Sequence, residues 1–122
     1  MDTSAWFSFQ HSINLNSRGE LMLFDNNLFK KESRALSFNL DSRSKSAITK
    51  INAPLPKSKY TSRMGSAYLL PNGNLLQTSA KTGTVMVTTD SGKILWELHA
   101  FFVPYRSEYV PEEFWRKYFK RE

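Results

Sequence analysis

The sequence predicts an all-β chain: two four-stranded antiparallel units followed by a short C-terminal helix. Three features predict it. Apolar and polar residues alternate with period two over short stretches, turn-forming residues separate those stretches, and the pattern around Gly19 recurs around Gly73. A period of two sends successive side chains to opposite faces of a strand, which is the pattern of a half-buried sheet.

Gln10 and His11 open the innermost strand of the first unit. A turn follows at Asn16-Ser17-Arg18-Gly19, and the second strand ends at Asp25-Asn26-Asn27. A longer loop closes at Ser33-Arg34, after which Leu36, Phe38 and Leu40 alternate with polar residues. In the second unit Met64-Gly65 stands where Gln10-His11 stood. Pro71-Asn72-Gly73 combines a fixed φ with a residue tolerant of positive φ, as a tight hairpin needs. Lys81-Thr82-Gly83 and Asp90-Ser91-Gly92 mark the later turns, and Ile94, Trp96 and Leu98 are expected to share one face of the last strand. Near 112–119 the character changes. Pro111, Glu112 and Glu113 suit a first helical turn, and Arg116 and Lys117 suit a last one.

The two units align. With Gly19 laid on Gly73, Ser12 meets Ser66, Leu15 meets Leu69 and Leu21 meets Leu75; further on, Asp41-Ser42 meets Asp90-Ser91. The offset falls from 54 to 49 because the loop at 26–34 is longer in the first unit. A repeated four-stranded unit of about 50 residues is the signature of a β-propeller blade. The expected organisation is one partial propeller domain over 1–122. It holds a first blade-like repeat at about 6–56, a second at about 60–103, and an extension at 104–122 that carries the helix. Closed propellers have about four to eight blades, and isolated blades leave apolar faces in water. The chain is therefore expected to self-associate or to assemble with other blades.

Composition narrows the function. At 40% hydrophobic and 14% aromatic, the chain can build a core. It has no cysteine, which removes disulfides, thiolate zinc sites and thiol nucleophiles, and its only histidines are His11 and His99, too few for a histidine-rich metal site. No metal or other cofactor is expected. No stretch approaches the roughly 18 apolar residues of a membrane span. The residues from Met1 to Trp6 have neither the basic start nor the apolar run of a secretory signal. Nine basic residues against two acidic ones lie within 28–63, part of a formal charge of +6. Such a balance attracts anions, although a solvated loop surface accounts for most of these residues.

His11, at a strand start over the expected channel mouth, is a candidate site residue. Arg34 offers a rigid fork of donors suited to sulfate or phosphate oxygens, and Asn26 lies in the turn between them. Together they are expected to form a site for a tetrahedral anion, with His11 and Arg34 as catalytic groups and Asn26 as a substrate-binding one.

These same residues carry a resemblance. Phe9-Gln10-His11-Ser12, then Phe24-Asp25-Asn26, then Ser33-Arg34-Ala35-Leu36 followed by Leu40-Asp41, resemble the arylsulfotransferase family in type and order. Ser62-Arg63-Met64-Gly65-Ser66 and Leu70-Pro71-Asn72-Gly73-Asn74 look like the start of that family's next blade, and Ile94-Leu95-Trp96-Glu97 like its closing strand. Tyr105-Arg106 followed by Val110-Pro111 is similar to its ending, so the resemblance runs from about Trp6 to about Phe114. It implies the C-terminal part of a six-bladed propeller, typically of periplasmic or secreted proteins. Such proteins move a sulfuryl group from a phenolic sulfate ester to another phenol without a nucleotide sulfate donor. It also implies a transiently sulfated channel histidine, with His11 at a sulfate-binding, charge-stabilising position and Arg34 and Asn26 at matching motif positions.

The family's nucleophilic histidine lies after the second strand of the next blade. The matching stretch, 77–83, has none. The expectation is thus an arylsulfotransferase-like protein, truncated or divergent, acting on an aryl sulfate ester or phenol and inactive in transfer on its own. The alternative is a non-catalytic, propeller-derived interaction module. Nucleic-acid binding is set aside, because no recognition motif is present and the aromatic residues fall at core or helix positions.

Overall fold

A computed structural model describes residues 5–119, so the sequence reading of residues 1–4 lies outside the described range. The described residues are all-β apart from one short α-helix near the C-terminus and a 3₁₀ turn at Lys57–Lys59. β1 (Gln10–Leu15), β2 (Leu21–Asp25), β3 (Arg34–Asp41) and β4 (Ser46–Pro54) form one sheet. β5 (Ser66–Leu69), β6 (Leu75–Ser79), β7 (Thr84–Thr88) and β8 (Ile94–His99) form a second. Each sheet is a meander in chain order with every pair antiparallel. The helix α1 (Glu112–Tyr118) follows Pro111 and is held by an Arg116–Glu112 ion pair one turn apart.

The first hairpins of the two sheets are built alike. Leu15 pairs with Leu21 and Leu69 with Leu75. The amide of Asn16 bonds the carbonyl of Glu20 and that of Gly19 the carbonyl of Asn16; 54 residues on, Leu70 bonds Asn74 and Gly73 bonds Leu70. Gly19 and Gly73 both have positive φ, which glycine adopts without steric cost.

The sheets stack face to face. Met22, Phe24, Ala35, Ile51 and Ala53 of the first pack against Ala67, Leu75 and Met86 of the second, with Leu55 sealing the linker. Two glycines permit the approach. A Cβ on Gly65 would lie 2.5 Å from the Phe24 ring and 2.8 Å from the Thr78 carbonyl, and one on Gly92 would collide with the Pro54 carbonyl. The other face of the first sheet carries a smaller cluster, Leu23, Leu36 and Phe38 under Ala5, with Phe7 tilted against Phe38.

One sequence expectation changes. Ile94 pairs with Thr88, but Trp96 pairs with Val87, so one residue of β8, Leu95, is extra. A bulge of this kind reverses the alternation. Ile94 therefore packs into the core between the sheets, while Trp96 and Leu98 lie on the opposite face, about half exposed. No described helix is long and apolar enough to cross a membrane.

Candidate functional site

His11 enters β1 next to a break in its pairing with β2: His11 opposes Phe24 and Asn14 opposes Met22, with Ser12 at positive φ between them. The imidazole stands on the side of the first sheet that faces the second. There its Nδ1 lies 2.7 Å from Oδ1 of Asn26 and 3.1 Å from the carbonyl of Phe9.

Asn26, fully buried just beyond β2, fixes the protonation of that ring. Its Nδ2 donates to the carbonyls of Thr61 (2.9 Å) and Met64 (2.8 Å), so the atom turned to His11 is the amide oxygen. Both groups facing Nδ1 are then acceptors, and Nδ1 must carry the hydrogen. In the neutral ring the lone pair resides on Nε2, to which no described group is hydrogen-bonded. The Asn26 amide also ties the first sheet to the segment leading into β5. Ser33 reinforces this junction, its hydroxyl bonded to the Thr61 carbonyl at 3.2 Å and to the Thr61 amide at 3.0 Å.

Arg34 goes elsewhere. It pairs with Asp25 across β2 and β3, one register step from the Phe24–Ala35 pair, so pleating sends it to the face opposite His11. Buried there, its Nε donates to Asp25 Oδ2 at 2.9 Å, its Nη1 to Asn52 at 3.3 Å and its Nη2 to the Trp6 carbonyl at 2.9 Å. Asp25, itself fully buried, also accepts the amides of Ser8 and Asn27. The structure thus brings His11 and Asn26 together and sets Arg34 in a separate network that anchors the segment before β1. Asp25 and Thr61 are the members that sequence reasoning did not single out. Asp25 was visible only as a turn residue, and nothing local marks the Thr61 carbonyl as a partner.

At residues 77–83 the hydroxyls are committed. Thr78 pairs with Ser107 (2.6 Å), Ser79 donates to the Lys59 carbonyl (2.6 Å) and Thr82 to Ser79 (2.7 Å), while Lys81 Nζ reaches Ser62 (2.9 Å). His99, the other histidine, is an exposed partner of Glu97 at 3.2 Å. Among the described residues no group of three or more His, Cys, Asp or Glu could hold a metal. An open groove of about 590 Å³ lies away from His11, between Pro71, Tyr109 and the start of α1.

Stacked four-stranded sheets with a histidine pinned at the start of the first strand define an all-β protein whose candidate chemistry sits at a strand start. The family follows from comparison. Residues 1–101 of the 122 match the family described as Arylsulfotransferase (ASST), and the chain belongs to that family. Neither a curated protein nor a solved structure gives a significant match.

Proposed function

We propose that the chain forms two blades of an arylsulfotransferase-type β-propeller and engages aryl sulfate esters or phenols at His11. The blade-like repeats span about 6–56 and 60–103, with an extension at 104–122. The observation that carries this reading is the His11–Asn26 hydrogen bond. It holds Nδ1–H inward and leaves the Nε2 lone pair available. A proton taken up at Nε2, for instance from an acceptor phenol, turns that nitrogen into a charged donor for sulfuryl oxygens, which is the charge-stabilising role the family motif suggests. Asn26 acts by positioning the ring. Arg34 supports the site by holding Asp25 and the end of β2, and a direct contact with sulfate would require it to leave that network.

Sulfuryl transfer by this chain alone is expected to be very slow. Residues 77–83 offer no imidazole, and loss of one member of a cooperating nucleophilic site commonly costs orders of magnitude in rate. The test follows phenol release from a chromogenic aryl sulfate with a second phenol as acceptor, alongside equilibrium binding of the ester. Weak binding lost in His11→Ala, with negligible turnover, is the expected result. Robust turnover abolished by His11→Ala would make His11 the nucleophile, and binding unaffected by that substitution would remove it from the site.

A second reading, a non-catalytic interaction module, is favoured by one observation. The hydroxyls of 77–83 are engaged in hydrogen bonds within the chain. A chain that binds no aryl sulfate but associates through its sheet faces would support it.

A further inference from the structure

Backbone strain collects around the His11–Asn26 pair. Four non-glycine residues with positive φ adjoin it. Phe9 (56°) and Ser12 (57°) flank Gln10 and His11, Asn27 (48°) follows Asn26, and Met64 (58°) gives its carbonyl to the Asn26 amide. Asparagine enters this region at little cost, but a bulky aromatic residue does so only where its surroundings compel it. At Phe9 the compelling contact is visible: its carbonyl is turned onto His11 Nδ1 at 3.1 Å, beside the 2.7 Å bond to Asn26. Strain of this kind persists at binding sites, where the conformation serves the ligand rather than the fold. The Phe9 side chain serves no described packing. It is 61% exposed and makes no ring contact among the described residues, whereas Phe7, two residues earlier, rests on Phe38. Phe9 also stands before β1, outside both sheets, at the strand-start end that carries the imidazole.

We propose that Phe9 is the aryl-binding residue of the His11 site, its ring stacking on the aromatic ring of a bound aryl sulfate ester or phenol. This role rests on the reading of His11 as the group that meets the sulfuryl oxygens. The ligand's own chemistry sets the spacing. In an aryl sulfate a single oxygen joins the sulfur to the ring, so the group that holds the ring must stand beside the group that holds the sulfuryl oxygens. Phe9 is the aromatic residue that meets that requirement, since its own carbonyl holds the imidazole. A phenyl ring is also neutral, so it serves donor ester and acceptor phenol alike. Offset or edge-to-face contact between two rings adds to simple area burial, and here it favours an aryl over an alkyl ester by about two- to tenfold.

The test uses Phe9→Leu, which keeps apolar bulk without an aromatic face, and Phe9→Gly, which removes the side chain and accepts the positive φ freely. Equilibrium binding of phenyl sulfate and of methyl sulfate is measured on the wild type, on both variants and on His11→Ala, and each protein is unfolded in urea. The wild type is expected to prefer phenyl sulfate by about two- to tenfold. Both Phe9 variants lose that preference while their affinity for methyl sulfate stays unchanged, and His11→Ala weakens both esters. Phe9→Gly keeps or raises the urea midpoint, because the strained conformation is relieved. A lowered midpoint with an unchanged preference overturns the proposal, the ring then serving packing. An unchanged preference in Phe9→Leu overturns it too, and leaves the reading of His11 intact. Phenol, which carries no sulfuryl group, separates the two readings. Upfield shifts of the Phe9 ring protons on titration with phenol report stacking even where neither ester binds, an outcome that removes only the sulfate reading. Their absence overturns the role of Phe9.

Discussion

His11 Nδ1 lies 2.7 Å from the Asn26 amide oxygen, and the same amide spends its nitrogen on the Thr61 and Met64 carbonyls, so one buried side chain sets both a tautomer and a sheet junction. The tautomer is directly observable. In ¹⁵N NMR spectra of the neutral ring, His11 is expected to show the Nδ1–H pattern, opposite to the Nε2–H form that usually dominates in free histidine. A dominant Nε2–H form would show that the bond to Asn26 does not govern the ring.

Asn26→Ala tests the second role of that residue. It removes a donor from the Thr61 and Met64 carbonyls, of which Thr61 keeps the Ser33 hydroxyl, and a buried group left unpaired costs about 1–3 kcal/mol. A loss of about 1–3 kcal/mol is expected by urea denaturation, together with a changed His11 tautomer. A change below about 0.5 kcal/mol would mean that water replaces the amide at little cost.

Asp25→Ala removes the acceptor of the Arg34 Nε and of the Ser8 and Asn27 amides at once. Breaking a buried ion pair from one side costs about 3–5 kcal/mol, and a double substitution of Asp25 and Arg34 by apolar residues is expected to cost less than Asp25→Ala alone. Guanidinium unfolding of the set of variants gives the comparison.

Acid sensitivity is expected from Glu20, buried beside β1 and β2. Burial pushes its carboxyl up, but hydrogen bonds from Asn16 and Ser37 and the charges of Arg18 and Lys50 outweigh this and hold it below the usual 4.5. A depressed carboxyl contributes stability above its unfolded value and loses it as pH falls through the folded one. The urea midpoint of the wild type should therefore drop between about pH 5 and pH 3, and Glu20→Gln should flatten that part of the curve. Equal slopes in the two proteins would assign the acid sensitivity to other groups.

Gly65→Ala and Gly19→Ala separate crowding from backbone strain. Both glycines have positive φ, but a Cβ on Gly19 meets nothing within 4 Å, whereas on Gly65 it meets Phe24 and the Thr78 carbonyl. Gly19→Ala should cost about 1–2 kcal/mol from backbone strain alone, and Gly65→Ala clearly more, as overpacking adds about 1–3 kcal/mol. Equal thermal shifts would mean that the sheets can part at no cost.

The sequence alone determined the all-β class, the helix near its observed place and the family, because alternation, turn residues and motif order are local. It also determined that two hairpins 54 residues apart share one construction, since Gly19 and Gly73 are required by the same turn geometry. Only the tertiary structure decided which site residues meet. Asn26 is partnered by carbonyls 35 and 38 residues away, a relation that no local pattern encodes. Arg34, adjacent to His11 in motif order, leaves the sheet on the other face because pleating alternates at every residue. Trp96 lies opposite Ile94 because one extra residue in β8 reversed that alternation, and backbone pairing, which sets the register, is invisible in composition.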